Sequence, residues 1–170
     1  MENYICINGK KAELTEEQMK ALGIELPKAN PFARTKPYEI FYYIDTLGNV
    51  DYSHDGGSCA AGSCDDKRFD AANYCTDKSI MEQRALHETL NRLLWRYSME
   101  HDGDKIDWSS GVKQRKYNIL YDDDQHKFEA SWIYSIRNIG AVYFISQQVA
   151  EDAIKEVIKP FMKAHPEFKF

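Results

Sequence analysis

The apolar run Tyr4-Ile5-Cys6-Ile7 stops at Asn8-Gly9, a dipeptide suited to a type I′ turn, and residues 11–14 return, which predicts a hairpin. Thr15 opens Thr-Glu-Glu-Gln, a capping box with Gln18 at the third helical position, and a short helix is predicted to about Leu22, with Gly23 as its stop. Pro27, Pro31 and Pro37 mark an irregular connection. Residues 38–45 are dense in aromatic and β-branched side chains, Gly48-Asn49 turns the chain, and residues 50–53 return as a second hairpin. The stretch 54–72 is rich in Gly, Ser, Asp and Ala without periodicity and reads as a long exposed loop.

The most regular pattern follows. Ile80, Leu86, Leu90, Leu93, Leu94 and Tyr97 fall on one wide stripe at helical spacing, predicting a helix over 77–100 capped by Thr76, with Gly103 beyond its end. Three strands are expected at 116–121, 127–135 and 141–145, forming a meander. Ser146 then caps a closing helix to about Ile158, with Val149, Ala150, Ala153, Ile154 and Val157 on its apolar face, and Pro160 interrupts or ends it. Phe161, Phe168 and Phe170 close the chain. The expected fold is α+β: an antiparallel sheet, made of the C-terminal three-stranded meander and the N-terminal hairpins, packed against one long and one shorter helix. A single domain over 1–170 is expected, with hairpins and a short helix in 1–53, a flexible loop in 54–75, and the long helix, meander and closing helix in 76–170.

Composition adds little to the fold and more to the function. A chain of 170 residues is of ordinary domain size and needs no metal or disulfide staple. The net charge of −5 argues against a general nucleic-acid binder but leaves room for a local basic patch. It also suits a protein that occupies a basic groove on a partner. Eleven tyrosines stand out; they suit strands and interfaces alike. The N-terminus has no basic flank followed by an apolar stretch, and no run approaches the length of a membrane span, so a cytoplasmic chain with reduced cysteines is expected.

Candidate chemistry is sparse. His54, Cys59, Cys64 and Cys75 have the number and types of ligand that a tetrahedral zinc takes, but without the CxxC knuckle; free cysteines are the simpler reading. Asp102, Asp104 and Asp107, and again Asp122, Asp123 and Asp124, lack the order of a calcium loop. The five histidines are scattered and no GxSxG, P-loop or GxGxxG occurs, so neither a catalytic set nor a cofactor is expected. His87, at the edge of the apolar stripe, reads as a partly buried structural residue. Arg84, Arg92, Trp95, Arg96 and Met99 lie opposite the stripe, where Arg92 can stack on Trp95 and form an interface hot spot or a site for phosphates and a stacked base. The alternative packs Trp95 under the sheet or the first hairpin, and it has the greater weight because a fully exposed Trp is uncommon. Lys113, Arg115 and Lys116, near Tyr117 and Tyr121, are read as a charged, solvated strand edge.

Several stretches in order, INGKKAELTEEQMKALGIEL, NPFAR, FYYIDTLGNVDYS, NYCTDK, LHETLNRLLWRYSMEHDGDKIDW and the closing KYNILYDDDQHKFEA…VYFISQQVAEDAIKEVIKPFMKAHPEF, resemble a set of uncharacterised accessory proteins of phages and prophages of Firmicutes. The resemblance implies no reaction. It implies a non-enzymatic protein in a bacterial host cell that binds a host protein or protein–nucleic-acid complex, with inhibitors of defence nucleases such as anti-CRISPR proteins the sharpest version. In that version Asp65, Asp66, Asp122, Asp123 and Asp124 compete with DNA for a basic channel. The runner-up is a nucleic-acid-binding regulator that uses Arg84, Arg92, Trp95 and Arg96. A third class is a small enzyme assembled from His and Asp residues by the fold. The long helix can also supply a homodimer seam.

Overall fold

The computed structural model describes residues 4–7, 10–23, 30–56, 62–109 and 111–169, and the chain divides into two compact units, Met1–Ala33 and Arg34–Phe170. In the first unit β1 (Tyr4–Ile7) pairs antiparallel with β2 (Lys10–Glu13), from Tyr4 opposite Glu13 to Ile7 opposite Lys10. The predicted Asn8-Gly9 turn lies outside the described residues. The capping box forms as expected: Thr15 Oγ1 accepts from Gln18 N at 3.3 Å and Gln18 Oε1 from Thr15 N at 2.9 Å, which starts α1 (Glu16–Ala21). Gly23, at φ +68°, takes the left-handed conformation that turns the chain out of the helix.

The second unit opens with β3 (Ile40–Ile44) and β4 (Val50–His54), an antiparallel hairpin whose turn is organised by Asp45. The Asp45 carboxylate accepts from the backbone N–H groups of Leu47 and Asn49, both at 2.8 Å, and this holds its pKa below the usual range. The stretch read as a long loop contains a helix, α2 (Cys64–Asp70). Its signal is local: Ser63 Oγ accepts from Asp66 N at 3.1 Å and Asp66 Oδ2 from Ser63 N at 3.2 Å. No residue of α2 is fully buried, so it leaves no apolar periodicity to read.

The long helix, α3 (Lys78–Glu100), is capped by Asp77 rather than Thr76; the Asp77 carboxylate accepts from Ser79 N at 2.8 Å and Ile80 N at 3.3 Å. Leu90 is buried among Ile154, Ile158, Phe161 and Phe168, with Leu86, Leu93 and Leu94 packed around them. The stripe is wider than predicted toward the N-terminus, where Met81 and Ala85 pack on Ile44 and Cys75 while Ile80 is exposed. His87 is exposed, not partly buried, and turns its ring edge onto Phe168.

β5 (Lys116–Asp122) and β6 (Lys127–Ile133) form the expected hairpin, with Lys116 opposite Ile133 and Asp122 opposite Lys127. The third strand expected at 141–145 does not form. This segment makes one bridge, Phe144 to Tyr117, through paired backbone bonds of 2.7 and 3.0 Å. Gly140, at φ +80°, turns the chain just before it, and Asn91 Nδ2 donates to the Gly140 carbonyl at 2.9 Å, holding the start of the segment on α3 instead of on β5.

Ser146 caps α4 (Gln147–Ala153) as expected, but Pro160 does not end the helix. A π-helical turn over Ile154–Ile158 leads directly into α5 (Lys159–Ala164), with Pro160 in its first turn. The wider turn shifts the backbone pairing where a proline would otherwise lack its N–H partner and strike the carbonyl four residues back. The fold is α+β, with antiparallel two-stranded sheets among the described residues. No helix of the described residues is long and apolar enough to cross a membrane.

Candidate interaction surfaces

The densest polar cluster was not foreseen. Asp55, just past β4 and 1% exposed, accepts from Arg34 Nε at 2.8 Å, Arg34 Nη2 at 3.3 Å and the Tyr74 hydroxyl at 3.0 Å. Arg34 Nη1 reaches Asp66 at 2.5 Å, so one guanidinium ties β4 to α2. The bond from Arg34 holds the Asp66 carboxyl below its ordinary pKa, and burial pushes the Tyr74 hydroxyl up. Phe41 stacks on Tyr74 at 4.1 Å, and Arg68 lies 3.6 Å over the Tyr43 ring. The carboxylate is spent on fixed donors, and the cluster acts as a clip that seats α2 on the β3–β4 hairpin.

The two predicted acidic groups differ in kind. Asp65 accepts from Gly56 N at 3.1 Å and pairs with Arg68 at 3.5 Å, while Asp66 serves Ser63 and Arg34. Both hold the fold together. Asp122, Asp123 and Asp124 stand at the β5–β6 turn: Asp122 accepts from Gln125 N at 2.9 Å, and Asp123 and Asp124 are exposed.

Trp95 is 58% exposed, against the expectation that it packs under a sheet. Its arginine neighbours point elsewhere. Arg92 donates to Thr89 at 3.0 Å and lies 3.9 Å from Glu88, Arg96 lies 3.9 Å from Glu100, and Arg84 pairs with Glu88 at 2.8 Å and donates to the Ala72 carbonyl. Each cation on this face has a carboxylate one turn away, so the face carries little net charge.

A second Trp–Arg arrangement lies at the open end of the β5–β6 hairpin. Trp132 is 46% exposed, the Arg115 guanidinium sits 4.6 Å from its ring centre, and Tyr134 meets it edge-on at 5.0 Å. In a separate pair, Arg137 lies 4.0 Å over Trp108, which packs edge-on against Tyr143. Ile136 and Ile139, in the loop after β6, are 71% and 106% exposed. Lys116 is not part of a solvated edge. It is fully buried, lies 5.6 Å from the Trp108 ring and donates to the Gly111 carbonyl at 3.2 Å, because strand alternation turns it away from the Arg115 side.

Among the described residues the metal candidates do not converge. Cys75 is buried with its thiol between the N–H and carbonyl of Asp77, and burial raises its pKa; Cys64 is exposed on α2, and Cys59 lies outside the described residues. Asp102 pairs with Lys105 at 2.7 Å and Asp107 accepts from Ser109 N at 2.8 Å, so these carboxylates serve their own turns. Among the described residues no three His, Cys, Asp or Glu side chains group to hold a metal. An open groove of about 830 Å³ between the β3–β4 turn, α3 and the C-terminal tail gathers several ionisable groups. Four of them pair with near neighbours in sequence: Lys78 with Glu82 at 3.0 Å and His165 with Glu167 at 3.3 Å.

Comparison with protein-family models, curated proteins and solved structures found no match.

Proposed function

We propose that this chain is a non-enzymatic binding protein whose main contact surface is the Trp132–Arg115–Tyr134 face at the open end of the β5–β6 hairpin. The observation that carries the reading is an indole held half-exposed under a guanidinium, with Ile136 and Ile139 bare in the loop that follows β6. Trp, Tyr and Arg are the residues that dominate protein interfaces when a partner excludes water from them. Bare isoleucines favour a protein partner over a nucleic acid, which gains nothing from aliphatic side chains at its phosphates.

The resemblance to phage accessory proteins supplies the partner class: a host protein or protein–nucleic-acid complex in the bacterial cytoplasm, with a CRISPR effector nuclease as its sharpest form. The turn carrying Asp122, Asp123 and Asp124 supports that form, since it offers a compact negative tip to a basic channel. Asp65 and Asp66 do not contribute to it, because Arg34, Arg68 and backbone N–H groups already occupy them.

The test is a pull-down from a Firmicutes host lysate, with and without nuclease. Three baits are compared: the unaltered protein, the Trp132→Ala/Arg115→Ala variant, and the variant with Asp122, Asp123 and Asp124 all changed to Lys. The expected result is a stoichiometric protein partner that survives nuclease and is lost from the first variant. Loss from the second variant as well supports the basic-channel form. A partner retained by both variants, or nucleic acid alone, overturns the reading.

A further inference from the structure

The pairing of β5 on both its sides fixes which backbone groups of β6 are left over. Tyr117 exchanges its two backbone bonds with Phe144, at 3.0 and 2.7 Å, so its N–H and C=O point away from β6. Tyr117 stands opposite Trp132 in the β5–β6 register, which makes that pair the non-hydrogen-bonded kind. The N–H and C=O of Trp132 therefore point out of the hairpin, and those of Ala130, two residues back, point the same way. Among the described residues Ala130 and Trp132 make no hydrogen bond on that side, and no strand pairs there. Backbone groups without a protein partner belong at the surface, where another chain can take them.

Native proteins blunt such an edge with a proline, a bulge or a charge. Over Lys127–Ile133 there is no proline, and the register with β5 runs without a break. The two charged residues, Lys127 and Glu129, lie toward the other end of the strand, 3.7 Å from one another. The end that carries Trp132 is aromatic instead, and its cation is unmatched. Arg34, Arg68, Arg84, Arg92 and Arg96 each have a carboxylate within 3.9 Å. Arg115 has none among the described residues, and its Nε donates to the Tyr134 hydroxyl at 3.5 Å. Building on the reading of the Trp132 face as the contact surface, we propose that its partner binds by strand addition. An extended segment of another protein pairs with Ala130 and Trp132 through the main chain and sets an Asp or Glu side chain against Arg115. A residue opposite Trp132 puts its side chain on the indole's face of the sheet, beside the ring that Arg115 covers. The main chain supplies the hydrogen bonds, and the Trp–Arg pair selects the side chain.

The experiment pans a displayed library of random peptides on the full chain, then follows amide exchange of the ¹⁵N-labelled protein with and without the selected peptides. Peptides that lose binding to Trp132→Ala are expected to carry an Asp or Glu and to slow exchange at the amides of Ala130 and Trp132. Ala130→Pro removes an outward N–H and leaves the bonds to β5 in place. It should weaken these peptides about tenfold, the worth of one net hydrogen bond. Arg115→Ala should weaken them by about tenfold or more, as should changing the peptide's acid to its amide. Exchange is read on the unaltered protein, so the result stands whether or not the proline variant folds. Peptides that need Trp132 but leave both amides exchanging freely overturn strand addition and leave the contact surface standing. Peptides without a carboxylate overturn the role given to Arg115. Concentration-dependent protection of the same amides in the protein alone makes a second copy the occupant and overturns the acidic partner. No Trp132-dependent peptide, or binding of a single-stranded DNA oligomer alone, overturns both readings.

Discussion

Replacing Asp55 by Asn tests whether the Arg34 clip holds the second unit together. The substitution keeps the volume, removes the charge and sets an amide N–H₂ against the donors of Arg34. Breaking a fully buried ion pair costs about 3–5 kcal/mol, and an exposed pair about 0–1 kcal/mol. Asp55 is 1% exposed, but the Arg34 side chain is 34% exposed and keeps Asp66 at 2.5 Å, so its charge is not stranded. The Tyr74 hydroxyl also keeps Thr35 Oγ1 at 2.7 Å. The expected loss is therefore about 2–3 kcal/mol, which at roughly 3–4 °C per kcal/mol lowers Tm by about 6–12 °C. Urea unfolding of Asp55→Asn, Arg34→Met and the double variant supplies the cycle, with a coupling of about 1–2 kcal/mol expected between the two positions. Because Arg34 reaches α2 through Asp66, amide exchange over residues 64–70 should accelerate more than exchange in α3. A loss below about 0.5 kcal/mol with zero coupling would refute the reasoning, since it would place the pair among solvent-screened surface contacts.

Two further outcomes test the packing and the electrostatics. A Cβ on Gly103 would lie 2.7 Å from the Ser98 carbonyl oxygen and strike the Ser98 hydroxyl, which donates to Tyr143 O; Gly103→Ala should cost about 1–3 kcal/mol in chemical denaturation, and a neutral result would mean that the end of α3 yields freely. Asp66 has its pKa depressed in the folded chain, first by the bond from Arg34, so its contribution to stability is full above the ordinary carboxylate pKa and is lost as pH falls through the depressed value. The Tm of the unaltered protein should thus fall more steeply on acidification from pH 5 toward pH 2 than that of Asp66→Asn, and parallel curves would contradict the assignment.

What could be read from the sequence was local. Thr15 and Gln18 are three residues apart, and the apolar positions of α3 lie within 23 residues, so caps and periodicity were visible. Even α2 had its signal in Ser63-x-x-Asp66, but with no residue fully buried it lacked the apolar stripe that would have drawn attention to it. What escaped depends on pairs distant in sequence. Arg34 and Asp55 are 21 residues apart, Arg34 and Asp66 are 32 apart, and neither pair carries a motif.

The third strand failed for a related reason. Segment 141–145 has β-branched and aromatic residues suited to a strand, yet Asn91, 49 residues away from Gly140, takes the Gly140 carbonyl just before the segment at 2.9 Å. A propensity acts through a residue's own backbone, whereas this competitor sits on another element. Changing Asn91→Leu tests this: released from α3, segment 141–145 gains freedom to extend its pairing with β5, so hydrogen exchange should show new amide protection at residues 140–142, and unchanged exchange there would contradict the role given to Asn91.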